Sequence, residues 1–104
     1  HGYTKFHLVG FSLGAQISGL VGRKLSQKSG NSYKIPRITG LDPGQLPPFV
    51  RFDILNSGDA LFVDTIHVET QFFGTPSSIG NSSFWVNGAI SQPSCKNRLE
   101  LSKF

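Results

Sequence analysis

The chain has 104 residues, of which 38% are hydrophobic and 15% charged, a balance typical of one small folded domain rather than of a disordered segment. Its net charge of +4 comes from 10 Lys and Arg residues against 6 Asp and Glu residues. The basic residues are scattered along the sequence, so we do not expect a nucleic-acid-binding surface. No apolar run is long enough to span a membrane, so we expect no transmembrane segment.

The first predicted elements are a strand and a helix. Residues 3–9 combine β-branched and aromatic side chains over a length that suits a buried strand. From position 13 large apolar residues recur at helical spacing, and they are Leu13, Ile17, Leu20 and Val21. Small residues at spacing four run beside them, which predicts a helix whose backbone approaches a sheet closely. Lys28 and Gly30 provide the signals for the end of this helix.

Three more strands are predicted downstream. Residues 35–41 form a strand that ends in an Asp-Pro-Gly turn at 42–44, which places a carboxylate at the carboxyl end of that strand. Residues 60–68 are almost continuously apolar, as in a strand covered on both faces, and residues 84–86 form a short aromatic strand. This order predicts an α/β fold with a mostly parallel sheet, whose functional sites lie at the carboxyl ends of the strands.

The stretch Gly10-Phe11-Ser12-Leu13-Gly14 lies where the predicted strand meets the predicted helix. In a nucleophile elbow a serine occupies such a turn with its Oγ above the sheet, and the flanking glycines let strand and helix approach closely. The N–H of the next residue, Leu13, then points to the position where an oxyanion develops. The alternative is that Ser12 caps the helix, a common role of serine. The strand before Ser12 and the small-residue helix after it favour the nucleophile.

A serine nucleophile needs a base and a carboxylate that orients the base. Hydrolases with this turn carry the three residues in the order Ser, Asp, His, and Asp42 fits that order. His67 also follows Ser12 but lies inside a predicted apolar strand, where a histidine is more typical of a core group than of a base. His1 and His7 precede Ser12 and are interpreted as structural.

Four blocks of sequence, in one order, carry a family resemblance: HLVGFSLGAQISGLVGRKL, PRITGLDP, GDALFVDTIHVET and FWVNGAISQPSCK. They cover nearly the whole chain and resemble the pancreatic-lipase family, which includes secreted triacylglycerol lipases, sn-1-specific phospholipases and insect yolk proteins. The resemblance implies an α/β-hydrolase fold, with residues 1–104 as the central part of a single lipase domain. Because the sequence begins at His1 and has no Met, we also expect it to be a piece of a longer or processed protein.

The resemblance also implies roles for individual residues. Ser12 resembles the family nucleophile, Asp42 the triad acid, and Leu13 would supply one oxyanion-hole N–H. His67 matches a family histidine that is not catalytic, and the catalytic histidine and second oxyanion donor are expected outside this segment. We therefore expect the isolated segment to be inactive. Asp64 lies in the strand where many other α/β hydrolases carry their acid, and it is the reserve candidate.

Three further features of the sequence concern properties of secreted lipases: a cysteine, a loop compared with a calcium site, and a sequon. Cys95 resembles the cysteine that opens a disulfide-closed lid region, with its partner outside the segment, and a free thiol is the alternative. Asn56 and Asp59 match positions where some family members bind calcium through two carboxylates. Because Asn56 lacks the charge, we expect a solvated loop and no metal or cofactor. The sequon at 81–83 is a glycosylation acceptor in a secreted chain.

An aromatic cluster completes the set of candidate features: Phe72, Phe73, Phe84 and Trp85. Such a density of aromatic residues is more typical of a core, with a lipid-facing rim as the alternative. We expect a secreted enzyme that hydrolyses carboxylic esters of triacylglycerol or sn-1 phospholipid at a membrane, micelle or lipoprotein surface. The alternative is a non-catalytic lipid-binding or yolk-type storage protein on the same fold, and the intact elbow around Ser12 favours the enzyme.

Overall fold

The computed structural model of the protein describes residues 5–47, 49, 53–75 and 77–93. These residues form β1 (His7–Phe11), α1 (Leu13–Lys28), β2 (Ile35–Leu41), β3 (Ala60–His67) and β4 (Ser82–Trp85). Two short 3₁₀ helices, Ser57–Asp59 and Val86–Ala89, precede β3 and follow β4. The strands form one parallel sheet in the order β1-β2-β3-β4, which confirms the predicted α/β architecture. Among the described helices, none has the length and apolar character needed to cross a membrane.

The bounds of α1 and β2 agree with the prediction, whereas β1 is shifted toward Ser12. Parallel pairing of β1 with β2 continues to the pair Phe11 and Leu41, so β1 ends at the residue directly before the turn. β4 begins at Ser82, earlier than predicted, because its pairing with β3 starts opposite Asp64. All four strands thus bring their carboxyl ends to one edge of the sheet.

α1 packs on the sheet through its small residues. Its buried positions are Ala15, Gln16, Gly19, Gly22 and Ser26. A side chain at Gly22 would overlap the carbonyl oxygen of Asp59, so the close approach requires glycine there. The apolar face predicted from helical spacing lies elsewhere, because Leu13 and Ile17 are 52% and 47% exposed. α1 therefore packs against the sheet through the helix face that permits the closest backbone approach, rather than through its most apolar face.

The hydrophobic core lies between α1 and one face of the sheet. Its buried members are Ala15, Ile35, Ile38, Leu55, Ala60 and Val63. Leu55 comes from the loop before β3, so this loop is part of the core rather than a solvated excursion. Burial of each Leu or Ile side chain contributes about 1.5–3 kcal/mol of hydrophobic stabilisation, and the cluster holds α1, β2 and β3 together.

The opposite face of the sheet remains open in the described part of the chain. Its exposed large apolar side chains are Val9, Phe11, Phe62 and Phe84. The prediction that β3 is covered on both faces is wrong for Leu61 and Phe62, which are 69% and 40% exposed, and right for residues 63–65, which are buried. Val63 and Thr65 are buried on the helix side, and Asp64 is buried among polar partners on the other side.

Candidate active site

Ser12 occupies the turn between β1 and α1 in a backbone conformation that non-glycine residues rarely adopt. Its φ is 54° and its ψ is −118°, and a residue held in such a region costs about 1–3 kcal/mol. The turn is fixed from both sides: the Ser12 N–H donates to the Leu41 carbonyl oxygen at 2.9 Å, and its own carbonyl oxygen accepts from Ala15 N at 3.1 Å. Ser12 occupies the N-cap position of α1, but its side chain makes no capping hydrogen bond.

The two glycines around Ser12 differ in what they do. A Cβ at Gly10 would collide with the Gly14 carbonyl group, so strand and helix meet too closely there for any side chain. A Cβ at Gly14 would have no neighbour within 4 Å among the described residues. The prediction that both glycines avoid a collision is therefore right for Gly10 and wrong for Gly14.

Asp42 follows β2 directly, at the same edge of the sheet as Ser12. Its N–H donates to the Ile66 carbonyl oxygen at 2.6 Å, which ties the residue to the end of β3. Its Oδ1 accepts from the backbone N–H groups of Val68 and Glu69, each at 3.1 Å. Oδ2 has no hydrogen bond to a described residue. The carboxylate is thus held in place through Oδ1.

Gly44 brings the segment that contains Asp42 against the serine. Its N–H donates to the Ser12 carbonyl oxygen at 3.2 Å. A Cβ at Gly44 would lie 3.2 Å from Ser12 Oγ and 3.6 Å from Leu13 N. The hydroxyl of Ser12, the N–H of Leu13 and the segment after Asp42 therefore lie close together at this edge of the sheet.

His67 lies in the core rather than in an accessible site. Its side chain is 0% exposed, Nε2 is 3.0 Å from Thr65 Oγ1, and the ring stacks on Trp85 with centroids 5.1 Å apart. Nδ1 has no hydrogen-bond partner among the described residues. Burial lowers the pKa of His67, an effect that the Thr75 backbone and the Asp42 charge only partly offset. A neutral, enclosed ring fits the prediction of a core histidine.

Asp64 is engaged in a polar network that crosses three strands. Arg37 Nη2 donates to Asp64 Oδ2 at 2.6 Å, Thr39 Oγ1 donates to Asp64 Oδ1 at 2.6 Å, and His7 Nε2 lies 2.7 Å from Thr39 Oγ1. The hydrogen bond from the Arg37 guanidinium lowers the pKa of Asp64, against the opposing effect of burial. Since both oxygens are bound in mid-strand, Asp64 is placed as a structural carboxylate. His7 likewise has a structural partner.

The loop before β3 binds an arginine at a position that matches a calcium ligand in some family members. Arg23 Nε and Nη2 donate to the two carboxylate oxygens of Asp59 at 2.9 and 3.0 Å. The Asn56 side chain accepts from Gly58 N at 2.9 Å, and Asp59 Oδ2 accepts from Asn56 N at 3.0 Å, a capping box. The described residues hold no cluster of three or more His, Cys, Asp or Glu suited to a metal ion.

The loop after β3 presents aromatic side chains to solvent. Phe72 and Phe73 are 54% and 81% exposed, so the prediction of a core cluster is wrong for them. Phe84 is exposed as well, and Trp85 is covered on one side by its stack on His67. Phe72 and Phe73 therefore lie outside the core, in the loop that follows β3 at the carboxyl edge of the sheet.

Glu69 organises this loop. Its carboxylate accepts from the backbone N–H groups of Gln71, Phe72 and Phe73 at 2.5, 2.8 and 3.0 Å. Burial acts to raise the pKa of Glu69, but the backbone N–H groups of the loop outweigh it, so the pKa lies below its usual value. Phe73 O accepts from Gln45 N at 2.8 Å, which fixes the loop beside Gly44 and hence beside Ser12.

Sequence reasoning missed three residues of this region: Gln16, Gly44 and Glu69. Gln16 carried a signal, since it is a polar residue on the small-residue face of the helix. Gly44 and Glu69 act through backbone contacts that no spacing in the sequence indicates. Of the other predicted positions, Asn81 accepts from Val63 N through its side-chain oxygen at 2.8 Å, whereas His1 and Cys95 lie outside the described residues.

A serine at positive φ on a strand-to-helix turn, at the carboxyl edge of a parallel sheet, defines the α/β-hydrolase class of fold. A family model described as Lipase matches residues 1–104. The chain belongs to the Lipase family.

Similar curated proteins support the same family. "Phospholipase A1 member A" of Rattus norvegicus is 40% identical over 95 residues, which are 88% of this chain and 19% of that protein. "Lipase member H" of Mus musculus is 43% identical over 94 residues, which are 86% of this chain and 19% of that protein. The chain thus spans about a fifth of the length of these relatives.

Proposed function

We propose that the full-length protein that contains this segment hydrolyses carboxylic esters of lipids, with Ser12 as nucleophile. The observation that carries the proposal is the strained backbone of Ser12, φ 54° and ψ −118°, at the junction of β1 and α1. Strain of this kind persists where the surrounding structure imposes it, and it clusters at active sites. The names of the relatives, a phospholipase A1 and a lipase, support a triacylglycerol or an sn-1 phospholipid as the substrate.

The proposed reaction is acyl transfer in two steps. Ser12 Oγ attacks the ester carbonyl while a histidine from outside this segment takes the hydroxyl proton. The Leu13 N–H donates to the oxyanion that forms, and Oδ2 of Asp42, which has no hydrogen bond to a described residue, orients the histidine. The histidine returns the proton to the leaving alcohol, and water then hydrolyses the acyl-serine by the same route. The position of Asp42 beside Gly44, which touches Ser12, favours it over Asp64 as the acid.

The proposed site of action is a lipid surface outside the cell. Phe72 and Phe73 are exposed on a loop whose backbone is joined to Gln45, next to Gly44, so they lie at the rim of the candidate site. Exposed aromatic side chains suit the interfacial region of a lipid layer. A disulfide at Cys95 and a glycan on the sequon at 81–83 are further parts of the proposal, as expected for a secreted protein.

The test is Ser12→Ala in the full-length protein, with Ser32→Ala as a matched control at an exposed serine remote from the elbow. Turnover is measured on triolein emulsions, phosphatidylcholine vesicles and p-nitrophenyl butyrate. We expect Ser12→Ala to lose about 10⁴-fold or more in kcat on every substrate that the wild type cleaves, while Ser32→Ala matches the wild type. Retained turnover in Ser12→Ala would refute the nucleophile. An inactive wild type that still binds vesicles would favour the non-catalytic lipid-binding alternative.

A further inference from the structure

Gln16 is a polar side chain in an otherwise small and apolar helix face. It lies one turn after Ser12 in α1 and is fully buried. Its Nε2 donates to the Gly44 carbonyl oxygen at 2.6 Å, and its Oε1 accepts from Leu55 N at 2.7 Å. Both partners lie in the connection between β2 and β3, Gly44 near its start and Leu55 near its end. A single amide thus ties the two ends of this connection to the helix that follows the serine.

The chemistry of the two partners determines why glutamine stands here. The Gly44 carbonyl can only accept a hydrogen bond and the Leu55 N–H can only donate one, so the orientation of the amide is fixed by its neighbours. A glutamate of the same shape would satisfy Leu55 N but would set a carboxylate oxygen against the Gly44 oxygen. An aliphatic side chain would leave both backbone groups without this partner, which is unfavourable for buried polar groups.

The backbone that Gln16 holds is the backbone that touches the candidate nucleophile. Gly44 donates to the Ser12 carbonyl oxygen, and its Cα faces Ser12 Oγ. Asp42 precedes Gly44 by two residues in the same turn. A shift of Gly44 away from α1 therefore changes the space above Ser12 and the position of Asp42 together.

We infer that Gln16 is a positioning residue for the ester hydrolysis proposed above, on which this inference rests. It sets residues 42–44 against Ser12 without touching the substrate. Misplacement of reacting groups by about 1 Å costs about 100-fold in rate, so the loss of Gln16 lowers kcat far more than it weakens substrate binding.

Arg23 offers a matched control in the same helix. It donates to Asp59 and to the Ile54 carbonyl oxygen, so it also ties the loop before β3 to α1, but it makes no contact with Gly44. Arg23→Lys keeps the charge beside the buried Asp59 carboxylate and removes the forked contact. Gln16→Leu and Arg23→Lys therefore both weaken the attachment of this loop, and only Gln16→Leu removes a hydrogen bond from residues 42–44.

The experiment measures kcat, KM and thermal stability of the full-length variants with p-nitrophenyl butyrate, a soluble ester that needs no lipid surface. We expect Gln16→Leu to lose about 10-fold to 100-fold in kcat with KM within about threefold of the wild type. Arg23→Lys is expected to lower the melting temperature and leave kcat within about twofold of wild type. Equal kcat values for the two variants would overturn the inference.

Gln16→Glu provides a second readout through pH. Burial raises the pKa of the introduced carboxyl group, and its protonated form regains a donor for the Gly44 oxygen. The ratio of kcat in Gln16→Glu to kcat in the wild type should therefore rise as the pH falls from about 8 to about 5, while the ratio for Gln16→Leu stays flat. A flat ratio for Gln16→Glu would contradict the role. A wild type without Ser12-dependent turnover would refute the proposed function instead, and with it this inference, whereas an active wild type with unaffected Gln16 variants refutes the inference alone.

Discussion

Gly44 lies directly against Ser12, although 32 positions separate the two residues in the sequence. The Gly44 N–H donates to the Ser12 carbonyl oxygen at 3.2 Å, and a Cβ at position 44 would come 3.2 Å from Ser12 Oγ. The space above the candidate nucleophile is therefore bounded on one side by a glycine.

Gly44→Ala should reduce catalysis while the fold persists. The added methyl group meets Ser12 Oγ at a distance at which the hydroxyl must shift by a few tenths of an ångström. We expect a loss of about tenfold in kcat on p-nitrophenyl butyrate, because a small displacement of a reacting atom is costly. Gly14→Ala is the control: its methyl group meets no described residue, and alanine is the better helix former by about 1 kcal/mol. Unchanged kcat in Gly44→Ala would show that Ser12 Oγ does not react from this position.

Asp42→Asn should lower activity and leave stability nearly unchanged, whereas Asp64→Asn should lower stability and leave activity nearly unchanged. Asp42→Asn removes the charge that we propose orients the base, and we expect a loss of about 10⁴-fold in kcat with little change in melting temperature. Asp64→Asn breaks the pairing with Arg37 and leaves kcat near that of the wild type, but it lowers the free energy of unfolding. Kinetics and thermal unfolding of the two full-length variants decide the matter. A large loss of kcat in Asp64→Asn alone would make Asp64 the acid.

His67 should make stability depend on pH in the mildly acidic range. Its pKa in the folded protein lies below the unfolded value of about 6.5, so the unfolded chain binds more protons below that pH. The contribution of neutral His67 to the free energy of unfolding is fully present above about pH 6.5 and is lost progressively as the pH falls toward the pKa of the folded protein. His67→Phe keeps a ring against Trp85 and lacks the titrating group. The melting temperature of the wild type minus that of His67→Phe should therefore decrease as the pH falls from about 8 to about 5.

The same variant tests the catalytic role of His67. Because the ring is enclosed, we expect His67→Phe to keep most of its kcat at pH values above 7, far from the loss of about 10⁴-fold that follows removal of a triad member. His67→Gln is the second replacement if the larger ring perturbs the core. A difference in melting temperature that does not vary with pH, or abolished turnover in both variants, would contradict the structural role of His67.

Phe72 and Phe73 should matter for lipid surfaces and not for soluble esters. Replacing both with serine removes apolar area that is exposed in the folded protein, so stability changes little. We expect weaker binding to phosphatidylcholine vesicles and slower hydrolysis of vesicle lipid, with kcat on p-nitrophenyl butyrate unchanged. Phe62→Ser, on the open sheet face away from this loop, is the control. Vesicle binding that is equal for the two variants would exclude the loop as the lipid contact.

Local signals in the sequence predicted the parts of this site that depend on neighbouring residues. The strand, Ser12 and the small-residue helix are close in sequence, and the steric demand at Gly10 is visible in the motif itself. The turn after β2 was likewise predicted from Asp-Pro-Gly chemistry, and the structure places Asp42 there.

The remaining features depend on contacts between distant residues. Helical spacing identified an apolar face on α1, but α1 packs against the sheet through its small-residue face, because this face allows the helix backbone to come closer. The roles of Gln16 and Gly44 follow from a hydrogen bond between residues 28 positions apart. The exposure of Phe72 and Phe73 follows from the path of the loop after β3, which composition does not indicate.

The three backbone amides bound by Glu69 have a consequence for the affinity of this loop for a lipid layer. A loop that orders only on contact would lose conformational entropy at that moment, and the loss would be subtracted from its affinity. Here the carboxylate has already fixed the backbone of Gln71, Phe72 and Phe73. In the proposed contact with a lipid layer, the backbone that carries the two phenyl groups is therefore ordered before binding, and less of the free energy of their transfer out of water is offset by lost entropy.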